Sequence, residues 1–98
     1  MRFLFAGVVD AVEDIIFVAD CEDRIMYANP AALRKFGYTM EEFLGQKSHF
    51  FSSPHNPPHI TEVILKETLS KGYWKGEVLN RTKDGVDFPV YLTTGVIR

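Results

Sequence analysis

The first stretch of the chain carries apolar residues at helical spacing. These residues are Phe5, Val8, Val9 and Val12. Their spacing predicts a short amphipathic helix over residues 2–12. Residues 15–20 follow as a run that is apolar at odd and even positions alike, which predicts a strand covered on both faces. After a polar turn, residues 25–28 form a second predicted strand.

The next helices are predicted from signals at their ends. Asn29 offers a side-chain oxygen to free backbone N–H groups, and Pro30 is pre-set for the first helical position. Gly37 suits the left-handed residue that ends such a helix. Residues 39–42 form a capping box that begins a short turn of helix. The longest helix is expected over residues 60–70, where the apolar positions again follow helical spacing.

Two further strands, at residues 74–80 and 88–97, are expected to form a hairpin. A three-residue loop at residues 83–85, with a glycine at positive φ, would pair Val78 with Val90 and keep charged side chains off the core face. A two-residue turn would shift this register and reverse the faces. The three-residue loop is therefore the preferred prediction.

Composition and charge limit the classes of function. The 98 residues suit one domain. With 11 Lys and Arg against 13 Asp and Glu, and no basic block, nothing points to nucleic acid. The longest apolar run, residues 15–19, is too short to cross a bilayer, so no direct membrane insertion is expected. Cys21, the single cysteine, excludes an internal disulfide and fits a reducing, cytoplasmic location.

Four segments in this order and spacing resemble a PAS domain. They are residues 17–20, 25–32, 36–45 and 72–85. The resemblance implies an α+β fold in which helices pack on one face of a five-stranded antiparallel sheet and enclose a pocket. It divides the single domain of residues 1–98 into an N-terminal flanking helix, 1–13, and a PAS core, 14–98. It also places the fifth strand after residue 98, between the first strand and the last one seen, so the domain is expected to be truncated at its C-terminal end.

The sheet face turned toward the helices is expected to line a ligand pocket. If the hairpin register is right, the pocket residues are Phe17, Leu33, Phe36, Ile64, Trp74, Val78, Asn80, Val90, Leu92 and Thr94. This set is mostly hydrophobic with two polar side chains, as binding pockets tend to be. The alternative is a filled core without a cavity.

The opposite sheet face is apolar as well and needs a cover. Its residues are expected to be Phe5, Val9, Ile16, Val18, Leu79, Tyr91 and Ile97. The flanking helix of this chain or of a second chain could supply that cover. PAS domains commonly dimerise in this way, so the resemblance implies a homodimer.

Cofactor binding has weak support in the sequence. Ser48 stands where light-sensing flavin domains of the family carry a reactive cysteine, and a hydroxyl is a poor substitute for a thiol. Asn80 matches an asparagine that contacts the flavin ring in that subfamily, but the second such position is Val90. His55 and His59, just before the longest helix, are the candidate haem ligands. The histidines fit no standard zinc spacing, so no metal site is expected.

These features predict a cytoplasmic sensory module of a bacterial signalling protein. It would bind a small ligand or dimerise, and so regulate a histidine kinase or a cyclic-di-nucleotide enzyme outside these residues. No nucleophile, base or phosphate loop accompanies the acidic residues near residue 20, so no enzyme activity is expected. The alternatives are a purely structural dimerisation module with a filled core and a non-covalent flavin or haem redox sensor.

Overall fold

The computed structural model describes residues 3–9, 14–20 and 22–97, except for the side chains of Val8, Val9 and Asp14. Strands and helices follow one another in the order β1 (Phe3–Val9), β2 (Asp14–Ala19), β3 (Ile25–Ala28), α1 (Pro30–Phe36), α2 (Met40–Phe43), a 3₁₀ turn (Ser48–Phe51), α3 (Ile60–Lys71), β4 (Tyr73–Arg81) and β5 (Asp87–Ile97). Apart from the first element, every predicted helix and strand is present, and its ends lie within one or two residues of the predicted ends.

The strands form one antiparallel sheet of five strands in the order β3-β2-β1-β5-β4. The helices pack against one face of this sheet, with α1 against β2 and α3 against β4 and β5. The predicted α+β fold with a five-stranded antiparallel sheet is therefore confirmed.

The prediction of a helix at residues 2–12 is wrong, and so is the assignment of a flanking helix to residues 1–13. The chain forms strand β1 there, which lies in the centre of the sheet between β2 and β5. It occupies the position that we expected a strand from beyond residue 98 to fill. Two exposed strand edges offer β1 backbone partners along its whole length, and such pairing outweighs a short helical pattern that contains β-branched residues. Residues 10–13 lie outside the described residues.

The helix signals read from the sequence are confirmed by their hydrogen bonds. The side-chain oxygen of Asn29 accepts from the backbone N–H of Ala32 at 3.0 Å, and Gly37 ends α1 at φ 82°. Thr39 and Glu42 form the reciprocal capping box of α2. These local signals fix where α1 and α2 begin, and thereby where their buried side chains meet the sheet.

The register predicted for the β4–β5 hairpin is also confirmed. Val78 pairs with Val90, and the loop closes on a hydrogen bond from Thr82 N–H to the Val86 carbonyl at 2.9 Å. Gly85 has φ 86°, the left-handed value that the three-residue loop requires. This register turns Val78, Val90 and every second neighbour toward the helices.

Aromatic rings fill the core between the sheet and the helices. Phe36 and Phe43 are fully buried, and Phe17 stacks on Phe51 with ring centroids 4.7 Å apart. Further ring contacts link these side chains to Phe50, Phe88 and Tyr38. The rings come from β2, α1, α2, the 3₁₀ turn and β5, so the aromatic cluster joins the sheet to the helical layer.

Candidate functional site

A cavity of about 90 Å³ lies between the sheet, the 3₁₀ turn and α3. Six of the predicted pocket residues line it: Phe17, Ile64, Val78, Asn80, Leu92 and Thr94. They come from β2, α3, β4 and β5, so the cavity is assembled from segments that are distant in the sequence.

The other four predicted pocket residues lie outside the cavity wall. Phe36 and Val90 are buried in the core, and Leu33 packs against that core. The ring of Trp74 lies over Gly76, whose missing side chain leaves room for it: a Cβ there would stand 2.6 Å from the ring. These four residues belong to, or pack against, the core cluster that also contains Phe17, Phe51 and Val78 of the cavity wall.

Several cavity residues were missed by the sequence pattern. Leu4 and Ala6 come from β1, which we had predicted as a helix, and Phe51 comes from a segment that read as irregular. Thr68 lines the cavity from the last turns of α3. Residues 3–9 carry no polar side chain that would mark one face of a strand, and nothing in the sequence around Phe51 signals its place.

Asn80 is the notable polar residue of the cavity wall. It is 3% exposed, and its Nδ2 is the only buried side-chain nitrogen or oxygen among the described residues that has no hydrogen-bond partner. Buried amides are normally paired, because losing water without a replacement is costly. The Nδ2 of Asn80 has essentially no accessible surface, so other atoms of the residue line the cavity.

The second pair of polar side chains in the cavity is already satisfied. Thr68 Oγ1 donates to the Ile64 carbonyl at 2.7 Å and lies 2.5 Å from Thr94 Oγ1. Since Thr68 uses its hydroxyl hydrogen in the first bond, Thr94 donates in the second. These threonines close the α3 end of the cavity.

The segment after the 3₁₀ turn is fastened to the outer edge of β4, next to Asn80. Ser52 forms a backbone bridge with Asn80. The Asn56 side chain donates to the Leu79 carbonyl and accepts from the Leu79 N–H, both at 2.7 Å. These bonds pair an edge strand that would otherwise be open and hold the cavity wall at Asn80 in place.

Asp87 holds the same segment from the other side. Its carboxylate accepts from Arg81 Nε at 2.6 Å, from Ser53 Oγ at 2.7 Å and from His55 Nδ1 at 2.6 Å. Arg81 first, then His55 and Ser53, lower the pKa of Asp87 well below its usual range. These three bonds to Asp87 join β4, β5 and the loop before α3. They were not predicted from the sequence.

Of the candidate cofactor residues, Ser48 and Asn80 line the cavity, whereas Val90, His55 and His59 do not. Ser48 Oγ donates to Asp23 Oδ1 at 2.7 Å, and Val90 is an apolar core residue. His55 is bonded to Asp87, and His59 is exposed at the start of α3; neither lines the cavity. Among the described residues there is no cluster of three metal-binding side chains. Cys21 lies outside the described residues.

The predicted outer face is the sheet surface away from the helices. The register brings Phe5 beside Val18 and places Val9 opposite Tyr91. Tyr91 and Ile97 are 49% and 41% exposed, and Ile16, Val18 and Leu79 are half-buried. An apolar strip thus runs across the sheet, built on β1 as well as on the strands that we had expected.

The chain is thus an α+β domain in which a helical layer packs over one antiparallel sheet, with a cavity between them. A family model described as PAS domain matches residues 13–98. The chain belongs to the PAS family, which is a family of sensory domains, and its role is in signal transduction. In the part of the chain that the structure describes, no helix is long and apolar enough to cross a membrane.

Two curated relatives are nitrogen fixation regulatory proteins. Those of Klebsiella oxytoca and Klebsiella pneumoniae are each 30% identical over 82 residues, which cover 84% of this chain and 17% of the relative. The chain thus spans about a sixth of the length of these relatives. They support a regulatory role for proteins that carry this domain.

Solved structures share the fold at low sequence identity. The photo-excited blue-light photoreceptor Vivid is 18% identical, with a TM-score of 0.62 over 98% of this chain and 77% of that chain. A PAS domain from Colwellia psychrerythraea is 17% identical, with a TM-score of 0.63 over 95% and 82%. The dark form of the Aureochrome1 LOV domain is 20% identical, with a TM-score of 0.62 over 95% and 73%.

Proposed function

We propose that this chain is the cytoplasmic sensory module of a bacterial signalling protein. A small ligand in the cavity, or a change in the packing of a homodimer, regulates an output domain elsewhere, such as a histidine kinase or a cyclic-di-nucleotide enzyme. The module itself catalyses no reaction. The observation that carries this proposal is the apolar cavity between the sheet and the helices, with the side chain of Asn80 among its lining residues.

Such a module needs two states that a ligand distinguishes, because a ligand shifts an equilibrium only by its difference in affinity. The cavity wall joins β1, α3 and the segment fastened to β4, so a ligand there contacts every layer of the fold. Its binding would change how β1 and the sheet edge are held. The outer face, built on the same strands, would pass that change to a partner chain.

Ligand binding is tested by thermal unfolding with a panel of small ring and short-chain compounds. We expect at least one compound to raise the melting temperature, since about 100-fold excess over Kd stabilises by about 2.7 kcal/mol. Ala6→Leu, which places extra carbon atoms in the cavity, should remove the effect. If no compound changes the melting temperature of the original protein or of Ala6→Leu, the cavity is not a ligand site and the domain is a dimerisation module.

Dimerisation through the outer face is tested by sedimentation over a range of protein concentrations. We expect a monomer–dimer equilibrium that Tyr91→Lys shifts at least tenfold toward monomer, because the substitution puts a charge among exposed apolar side chains that the dimer would bury. Val63→Lys is the matched control, since Val63 is 44% exposed on α3, on the other side of the molecule. Equal effects of the two substitutions would contradict a dimer formed by this face.

A flavin or haem redox sensor is a weaker reading. Asn80 alone favours a flavin, and a cavity of about 90 Å³ is small beside the roughly 300–1,000 Å³ of drug-sized ligand pockets. The residues present do not fit either group as the cavity stands. An absorption spectrum of the purified protein decides the matter, because a visible band would identify a bound flavin or haem.

A further inference from the structure

The outer edge of β4 is paired over only part of its length. Leu79 lies in the covered part: its N–H donates to Asn56 Oδ1 at 2.7 Å, and its carbonyl accepts from the Ser53 N–H at 3.0 Å. Residues 73–77 belong to the same strand, and no described residue outside the sheet bonds to their backbone. An open strand edge presents a row of backbone donors and acceptors to a further strand.

The backbone groups that face this open edge belong to Tyr73, Lys75 and Glu77. The N–H and carbonyl of Leu79 bond to the covering segment, so they point away from β5. In an antiparallel pair every second residue points the same way, and the β4–β5 register runs without a bulge along the whole strand. The three residues therefore offer their N–H and carbonyl groups over about 17 Å of edge.

Two opposite charges stand on the open edge without an ionic partner. Lys75 and Glu77 are both exposed, and neither forms an ion pair with a described residue. The Nζ of Lys75 lies over the Tyr73 ring, 5.9 Å from its centroid. Because the two charged side chains are two residues apart, they lie on one face of the sheet. A strand beside β4 would place one of its own side chains opposite each of them.

We propose that residues 73–77 of β4 bind an extended segment of another protein in the antiparallel direction. Read from its N-terminus, the segment carries a basic residue opposite Glu77, an apolar residue opposite Gly76 and an acidic residue opposite Lys75. The apolar residue lies on the face toward the helices, where the half-buried Trp74 ring covers Gly76. This docking site is separate from the cavity, which residues 73–77 do not line.

A second copy of this chain is a poor occupant of the open edge. Antiparallel pairing of two β4 strands with matched charges would set Lys75 of one copy opposite Glu77 of the other. The same register sets Tyr73 of one copy opposite Leu79 of the other. The covering segment already lies there. A segment that begins opposite Glu77 avoids this overlap.

The test uses five-residue peptides with acetylated and amidated ends. The matched peptide is Lys-Val-Glu-Val-Tyr, whose tyrosine comes opposite Tyr73, and the control, Glu-Val-Lys-Val-Tyr, exchanges the two charges. We expect the matched peptide to bind about tenfold more tightly, because opposite charges then face each other in both pairs. Trp74 is the one tryptophan of the chain, so its fluorescence measures binding. Amide hydrogen exchange should slow at Lys75 and Glu77.

The reciprocal variant combines Lys75→Glu with Glu77→Lys. Both side chains are exposed, so the protein should stay folded. Its preference should reverse, with the control peptide binding about tenfold more tightly than the matched one.

Methylated peptides test the backbone pairing itself. In the matched peptide, the N–H of the glutamate opposite Lys75 bonds to β4, whereas the N–H of the valine opposite Gly76 points away. Methylation of the glutamate nitrogen should abolish binding, and methylation of that valine nitrogen should leave it nearly unchanged.

Three results with the peptides would overturn the proposal. These are equal affinity of the two peptides for the original protein, tighter binding of the control peptide, and a preference that fails to reverse in the double variant. No binding at millimolar peptide would overturn it too, and would show that the two charges only keep other strands away. Exchange at Lys75 and Glu77 that slows with protein concentration alone would show instead that a second copy occupies the edge.

Discussion

At the scale of single residues, Asp87, at the start of β5, binds side chains from two other parts of the chain. Its carboxylate receives donors from Arg81 on β4 and from Ser53 and His55 in the loop before α3. The loop carries no regular structure, so these side-chain bonds and those of Asn56 set its position. Asp87 therefore acts on the cavity indirectly, by fixing the segment that follows Phe51.

We expect Asp87→Asn to lower stability at neutral pH and to weaken its dependence on pH. The Arg81 guanidinium, His55 and Ser53 hold the pKa of Asp87 below its unfolded-state value, which is about 3.9. The carboxylate therefore stabilises the fold above that value and loses this effect as the pH falls below it. Urea midpoints at pH 7 and at about pH 3 should differ less for the variant than for the original protein.

Asp84→Asn is the control for this prediction, because Asp84 is exposed in the adjacent turn. It should leave the urea midpoints nearly unchanged at both pH values. If the urea midpoints of Asp87→Asn and of the original protein changed equally with pH, the Asp87 carboxylate would not be the source of the pH dependence.

One of the contacts of Asp87, the one with Arg81, could be predicted from the sequence. Once the hairpin register is fixed, Arg81 stands directly opposite Asp87, and an opposite-charge pair across strands is an expected contact. The contributions of Ser53 and His55 were not predictable, since they depend on the course of an irregular loop that contains prolines. The same limit applies to Asn56, whose bonds to Leu79 have no signal in the sequence.

At the scale of elements, Asn29 joins a helix to a strand. Its Oδ1 accepts from the Ala32 N–H at 3.0 Å and from the Ile16 N–H at 3.2 Å. Its own N–H donates to the Ile16 carbonyl at 3.0 Å. The residue that begins α1 thus also fixes the distance between α1 and β2.

We expect Asn29→Ala to destabilise the domain by about 2 kcal/mol. Loss of a helix cap costs about 0.5–2 kcal/mol, and the Ile16 N–H loses a partner as well. Asn29→Asp should retain most of the stability, because its carboxylate can accept both bonds. Chemical denaturation of the two variants measures the difference, and equal losses would show that the side-chain oxygen is not what matters.

Elements with local signals were predictable, and the element without them was not. The cap residues of α1 and α2 act within one turn of their own helix, so the sequence around them is sufficient. Residues 3–9 form a strand because they pair with β2 on one side and with β5 on the other. A pattern of valines and phenylalanines is compatible with helix and strand alike, and long-range pairing selects between them.

At the scale of the whole molecule, β1 connects two parts of the sheet. On one side it pairs with β2, which carries β3, and on the other with β5, which carries β4. Leu4 and Ala6 of the same strand line the cavity. Six of the cavity residues could be predicted from the sequence, but the complete wall could not, because it includes this strand, which the pattern predicted to be a helix.

We expect Ala6→Pro to abolish cooperative folding or to cost more than about 3 kcal/mol. Ala6 pairs with Phe17 on one side and Thr94 on the other, and proline removes a backbone donor from the centre of a sheet. Phe3→Pro, at the first residue of the same strand, should be tolerated much better. Denaturation followed by circular dichroism measures both, and equal effects would argue against a central β1.

The central position of β1 has a consequence for how the protein is made. Within this domain β1 is translated before every other element, yet one of its two neighbours, β5, is the last of the domain's strands to be translated. Until then β1 can pair only with β2, and its other edge stays open to foreign strands. Chains emerging close together on one messenger RNA are thus most prone to misassembly in the interval before β5 emerges.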